Sequence, residues 1–67
     1  MLELDLILSN FFEKKFNDLS SELQETFIKL LSEADQDIYS WLLEVQSCPH
    51  PEFFLILSEI RNFYEKF

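Results

Sequence analysis

A cysteine and a histidine, Cys48 and His50, are the side chains best suited to chemistry, and they flank Pro49. The chain has no other cysteine or histidine, so it cannot form an internal disulfide or complete a zinc site of the usual four ligands. A nucleophilic Cys–His pair needs a close hydrogen bond and a third group that orients the histidine. Residues two apart in a loop rarely supply these, so we expect no catalysis here and interpret His50 as a cap of the last helix.

Carboxylates could also do chemistry, and the close pairs include Asp35 with Asp37 and Glu3 with Asp5. The first pair lacks the later glycine and the bidentate glutamate of a calcium loop. Asp35 is instead predicted to cap a helix, with Asp37 in its first turn. Residues two apart point to different faces of a helix, so the second pair makes a poor metal site or acid–base pair. We therefore predict no metal site, no catalytic residue and no enzyme.

Glycine is absent from all 67 residues. Loops that hold the phosphates of nucleotides or dinucleotides depend on closely spaced glycines. We therefore predict no cofactor site, and any flavin or nucleotide chemistry would belong to a partner protein.

Charge narrows the range of partners, because 13 acidic and 5 basic residues give a net charge of −8. Phosphate backbones and anionic membranes attract clustered Lys and Arg, so we expect neither nucleic acid nor a membrane as a partner. The longest apolar run, residues 53–57, is far shorter than the ~20 residues of a membrane-spanning helix. With no basic and apolar leader either, the sequence predicts a cytoplasmic protein.

The segments that carry these side chains are predicted to be helices. Hydrophobic residues make up 48% of the chain, and they recur at helical spacing. We predict an all-α fold, a bundle of four short helices in a single helical domain over residues 1–67. The first helix, from about residue 2 to 16, buries a face of four residues: Leu4, Leu8, Phe11 and Phe12. The second is capped by Ser20 or Ser21, the latter with Gln24 as a capping box. Its buried face has five members: Leu23, Phe27, Leu30, Leu31 and Ala34.

The other two helices follow from the same pattern. The third begins at the Asp35 cap and buries four residues: Ile38, Trp41, Leu42 and Val45. The fourth is opened by Pro51, which needs no amide hydrogen in a first turn, and runs towards Phe67. Along one side it carries Phe54, Leu57, Tyr64 and either Ile60 or Arg61. Arg61 is also predicted to pair with Glu65, one helical turn further on.

Two segments carry more apolar surface than four short helices can cover. Residues 6–8 widen the apolar face of the first helix, and residues 53–57 are apolar all round the fourth. Helices of this kind are buried on several sides or expose an adhesive patch. We therefore expect a missing element, a partner surface, or a homodimer formed through the exposed faces.

Two stretches carry a more specific pattern. Residues 1–5 read Met-Leu-Glu-Leu-Asp, and residues 27–42 read Phe-Ile-Lys-Leu-Leu-Ser-Glu-Ala-Asp-Gln-Asp-Ile-Tyr-Ser-Trp-Leu. They resemble the succinate dehydrogenase assembly factor 2 family, also called SdhE, whose bacterial members have been described as antitoxin-like. Its members show Arg-Gly-Met-x-Glu-Leu-Asp and then Phe-x-x-Leu-Leu-x-x-x-Asp-x-Asp-Leu-(Tyr/Phe)-x-Trp-Leu. The second pattern is kept almost whole, with Ile38 in the place of Leu, and residues 59–62 are similar to the family's last helix.

The resemblance implies a five-helix bundle in which a first helix and an Arg-Gly pair precede the methionine matched by Met1. This sequence starts at that methionine, so we expect a shortened form that keeps only Met1 and Glu3 of the Arg-Gly-x-x-Glu signature. Glu3 and Met1 are then the expected partner-binding residues, with Asp5 in support. Tyr39 is added because it lies off the buried stripe of its helix.

The function that the resemblance implies is that of an assembly factor. Such a factor binds the flavoprotein subunit of succinate dehydrogenase or fumarate reductase and promotes covalent attachment of FAD to a histidine of that subunit. The alternative is an antitoxin-like or regulatory protein-binding module. Its surface would be equally acidic, so the sequence does not separate the two.

Overall fold

A computed structural model of the chain describes residues 1–65, and every regular element in that range is helical. Four α-helices follow one another: α1 (Leu2–Lys15), α2 (Ser21–Leu30), α3 (Asp35–Leu42) and α4 (Phe54–Glu65). Short 3₁₀ turns, Phe16–Asp18 and Pro51–Phe53, follow α1 and precede α4. The prediction of an all-α fold with four short helices is confirmed.

The core lies where α4 packs against the other three helices. Twelve buried apolar side chains form one cluster: Leu4, Ile7, Phe11, Phe27, Leu30, Ile38, Trp41, Leu42, Phe53, Ile56, Leu57 and Ile60. Burying side chains of this size contributes about 1.5–3 kcal/mol each before the entropy of ordering the chain is counted. Every α-helix supplies at least two of them, so detachment of any helix would expose part of the core to water.

The buried face of α1 differs from the prediction. Leu4 and Phe11 are buried as expected, but Ile7 is buried with them, Leu8 is only half-buried, and Phe12 is 53% exposed. Successive residues turn by about 100° around a helix. Phe12 therefore points well away from Phe11 and covers the rim of the core instead of its centre.

The start and end of α2 also differ in part. The Ser20 hydroxyl accepts a hydrogen bond from the Leu23 amide at 3.2 Å, so Ser20 is the cap and the Ser21–Gln24 capping box is wrong. The Gln24 amide donates instead to the Phe16 carbonyl at 2.9 Å, which holds α2 against the preceding turn. The helix ends at Leu30, so two residues predicted to be on its buried face are exposed: Leu31 and Ala34.

The N-terminal cap of helix α3 is one residue earlier than predicted. Ala34 is its N-cap and Asp35 its first residue, so the prediction that Asp35 caps the helix is wrong. Asp37 lies in the first turn as expected, where its charge favours the positive end of the helix dipole. The helix ends at Leu42, which leaves Val45 outside it and 74% exposed, against the prediction.

Arg61 closes the C-terminal end of α3 from the neighbouring helix. Its Nε donates to the Leu42 carbonyl and its Nη2 to the Trp41 carbonyl, each at 3.1 Å. Its ion pair is with Glu44, at 3.3 Å, and not with the predicted Glu65. Glu44 itself has φ of 59°, the left-handed conformation that commonly ends helices and that is normally taken by glycine. In a chain without glycine, Arg61 and Glu44 together terminate α3.

Pro51 starts the 3₁₀ turn that runs directly into α4, which agrees with its predicted position in a first helical turn. His50 occupies the N-cap position of this turn, as predicted, but its side chain makes no capping hydrogen bond. On α4, Ile56 is buried, whereas Phe54 and Tyr64 are exposed, because the core contacts the side that carries Leu57 and Ile60. The predicted end at Phe67 lies outside the described residues.

Candidate functional site

The structure brings two of the predicted partner-binding residues together, although they are 36 positions apart in the sequence. Glu3 lies in the first turn of α1 and is exposed, and Tyr39 lies on α3 and is half-buried. The largest cause that raises the pKa of Tyr39 above its ordinary value is a hydrogen-bonding interaction of its hydroxyl with the Glu3 carboxylate, followed by desolvation. The first turn of α1 and the middle of α3 therefore interact through these two side chains.

A second contact joins the same two helices. The Met1 ammonium donates to Asp35 Oδ2 at 2.9 Å. This bond, followed by the charges of Asp35 and Asp5, raises the pKa of the Met1 amino group above 8.0. Because both partners are exposed, we assign little stability to the pair. The pair nevertheless shows that Met1 and Asp5 lie close to the start of α3, because the charges of Asp35 and Asp5 both act on the Met1 amino group.

We call the region formed by Met1, Glu3, Asp5 and Tyr39 the Glu3–Tyr39 surface. All four predicted partner-binding residues belong to it, and the structure adds Asp35 to its edge. The carboxylates accept hydrogen bonds and attract cations, and the tyrosine offers an apolar ring with a polar tip. This chemistry suits recognition of a protein surface that presents N–H donors or a cationic side chain.

The interaction between Tyr39 and Glu3 leads to a pH-dependent prediction. A neutral phenol can donate to the carboxylate, whereas a phenolate cannot, so this interaction favours the neutral form and raises the pKa of Tyr39 above the ordinary value of 10.0. In a Tyr64→Phe chain Tyr39 is the only tyrosine, and its absorbance titration at 295 nm should have a midpoint above 10.0. Adding Glu3→Gln should move the midpoint down. An unchanged midpoint would contradict the contact.

The Cys48 thiol and the His50 imidazole have different partners. Cys48 Sγ accepts from the His50 backbone amide at 3.4 Å, so the thiol contacts the main chain and not the imidazole. The His50 ring packs edge-on against Trp41 and Phe53, with centroids 5.9 and 5.6 Å away. Its nearest carboxylate, on Glu33, is 3.9 Å away, which is too long for a hydrogen bond. The imidazole therefore fills space beside the core.

Two further properties concern metals and membranes. Among residues 1–65, no three His, Cys, Asp or Glu side chains are grouped closely enough to hold a metal ion. Within the same range, no helix has both the length and the apolar character needed to cross a bilayer.

Comparison with known proteins was decisive for the family. Residues 1–64 match the family model described as flavinator of succinate dehydrogenase. The chain belongs to this family. The resemblance predicted from residues 1–5 and 27–42 is thereby confirmed. Glu3 and Tyr39 both lie within the range that matches the flavinator family.

Curated members of the flavinator family support the assignment. The chain is 34% identical over 62 residues to FAD assembly factor SdhE of Shewanella oneidensis, covering 92% of this chain and 76% of that protein. The protein of the same name from Coxiella burnetii is 39% identical with the same coverage. That of Legionella pneumophila is 37% identical, covering 92% of this chain and 77% of its own length. No solved structure is significantly similar to the chain.

The structure also places other residues beside the Glu3–Tyr39 surface, which the sequence alone does not indicate as a site. Leu6 and Asn10 of α1, with Phe63 and Tyr64 of α4, line a cleft between these two helices. Leu6 and Asn10 follow Glu3 by three and seven positions, so a helical projection from Glu3 would have found them. Tyr64 could not be found in that way, because only tertiary packing brings α4 to this position.

Proposed function

We propose that this chain is an assembly factor that binds the flavoprotein subunit of succinate dehydrogenase or fumarate reductase and promotes covalent attachment of FAD to it. The observation that carries the proposal is the match of residues 1–64 to the flavinator family. The names of curated relatives, FAD assembly factor SdhE, point to the same role.

The chain acts in this proposal without being an enzyme. Covalent attachment requires a side chain of the flavoprotein subunit to meet the flavin in a reactive geometry, and correct positioning alone can lower such a barrier substantially. A binding protein favours that geometry if it binds the reactive conformation of its partner more tightly than the others. The flavin supplies the chemistry, and this glycine-free chain supplies only the surface.

The Glu3–Tyr39 surface is the proposed contact. Glu3 and Asp5 are exposed charges at one end of α1. The interaction of Glu3 with the Tyr39 hydroxyl can restrict the Glu3 side chain before the partner arrives. Fixing a side chain in advance lowers the entropy lost on binding. Tyrosines are frequent among the residues that dominate binding energies, so we assign Tyr39 a direct contact as well as its positioning role.

Reconstitution tests the proposal. An apo-flavoprotein subunit is incubated with FAD and with or without this chain, and covalent flavin is measured by fluorescence of the denatured subunit. We expect more covalent flavin with the chain present, and no gain with a Phe27→Ala chain, which lacks a core side chain. A folded chain that neither binds the subunit nor raises covalent flavin would refute the proposal.

Two further expectations belong to this proposal. A cytoplasmic location stays a prediction of the sequence. So does the homodimer formed through exposed apolar faces, although the structure does expose large apolar side chains away from the Glu3–Tyr39 surface, among them Val45 and Leu55.

A further inference from the structure

The cleft between α1 and α4 is apolar and lies open at the surface. Its walls are Leu6, Ile7 and Asn10 from α1 with Phe63 and Tyr64 from α4, and it encloses about 210 Å³. Ile7 is buried and forms its floor, whereas Leu6 is 56% and Tyr64 is 41% exposed. Two large apolar side chains thus stand at its rim in contact with water.

The α1–α4 cleft is continuous with the Glu3–Tyr39 surface. Residues three and seven apart share a helix face, so Glu3, Leu6 and Asn10 follow one another along the same side of α1. On the other side, Tyr64 is close enough to Tyr39 to affect its ionisation electrostatically. A partner seated on Glu3 and Tyr39 would therefore also cover the cleft.

The size and surroundings of the cleft limit what can occupy it. Sites for drug-sized molecules and cofactors enclose about 300–1,000 Å³, so this cleft, at about 210 Å³, suits a single side chain better than a flavin. A second copy of the chain is disfavoured by charge. In a twofold dimer the same patch meets itself, which would bring the Glu3 and Asp5 carboxylates of both copies together at a repulsive rim.

We propose that the flavoprotein subunit inserts one large apolar side chain into the α1–α4 cleft, beside a donor or cationic group that contacts Glu3. This inference rests on the proposed function and specifies its contact chemistry. Apolar anchors that enter a preformed pocket next to polar contacts commonly dominate the affinity of protein interfaces. Leu6 and Tyr64 are the residues whose side chains define the entrance.

Binding of purified variants to the apo-flavoprotein subunit tests the inference. Leu6→Ala and Tyr64→Ala should each raise Kd by about tenfold or more, whereas Tyr64→Phe, which keeps the ring, should stay within about threefold. Leu55→Ala is the matched control, because Leu55 is exposed on the opposite side of α4 from Tyr64 and nine residues turn a helix by about half a revolution. Circular dichroism and thermal unfolding establish that each variant is folded.

The outcomes separate the two proposals. If the unaltered chain does not bind the subunit, the proposed function fails. If it binds and Glu3→Gln weakens it, but the two alanine variants bind like Leu55→Ala, only the cleft inference fails. An equal loss for Tyr64→Phe would assign the contact to the hydroxyl and overturn the inference as well. If light scattering shows a dimer and Leu6→Ala abolishes it, a second copy of the chain occupies the cleft, and the inference is likewise overturned.

Discussion

Replacing Phe27 by alanine is expected to lower the free energy of unfolding by about 3–5 kcal/mol. The Phe27 side chain is 1% exposed, and its ring lies 5.5 Å from that of Phe11 and 5.7 Å from that of Phe16. Domains have about 0.05–0.15 kcal/mol of stability per residue, so 67 residues should have roughly 3–10 kcal/mol in total. The loss would consume about a third or more of that stability, and urea unfolding followed by circular dichroism measures it.

The matched control is Phe12→Ala, the same change on the exposed side of the same aromatic group. Phe12 is half in water, and its ring contacts Phe16 at 4.7 Å. Its removal should cost about 1 kcal/mol, the typical contribution of an aromatic pair at a surface. Equal losses for the two variants would contradict the packing of α1 and favour the face that the sequence predicts.

The existence and order of the helices could be predicted because each has a local cause. Apolar residues at helical spacing, serines before α2 and Pro51 before α4 are all visible in the sequence. The rotation of α1 could not be predicted in the same way. Both the observed set, with Ile7, and the predicted set, with Leu8 and Phe12, satisfy helical spacing. Only packing against α4 decides between them.

The helix ends that were predicted wrongly depend on distant residues. The sequence near Leu42 gives little indication of where α3 stops, because the Leu42 carbonyl is bonded by Arg61, which also joins the Glu44 amide at the Trp41 carbonyl. The spacing of one helical turn favours Glu65 as the partner of Arg61, but the loop after α3 brings Glu44 to Arg61 instead. A residue separation of 17 or more leaves no local signal for such contacts.

In the candidate site, too, single residues could be predicted from the sequence, but their contacts could not. Glu3 was assigned through the motif it shares with the family, since an acidic residue in a first helical turn is commonly explained by the dipole alone. Tyr39 was assigned because it lies off the buried stripe. That the two side chains meet, and that Tyr64 lies beside them, follows only from the packing of α1, α3 and α4.

Removing the charge of Glu3 should have the largest functional effect of any exposed substitution on this surface. Glu3→Gln is expected to raise Kd for the apo-flavoprotein subunit by about tenfold to a hundredfold. That corresponds to about 1.4–2.8 kcal/mol, within the range of hydrogen bonds to charged groups. Because Glu3 is exposed and contributes to folding only through the helix dipole and its interaction with Tyr39, the free energy of unfolding should change by about 1 kcal/mol or less. Isothermal calorimetry and urea unfolding measure the two quantities.

Glu13→Gln is the control for the Glu3 substitution, because it removes the same charge from the same helix about 15 Å further along its axis and is also exposed. Long-range steering by the net charge of −8 would weaken with either change, mainly through the association rate and mainly at low salt. A local contact would weaken with Glu3→Gln alone and would persist at about 0.15 M salt, where exposed charges more than ~8 Å apart are screened. Equal losses for both variants would therefore assign the effect to overall charge and remove Glu3 from the contact.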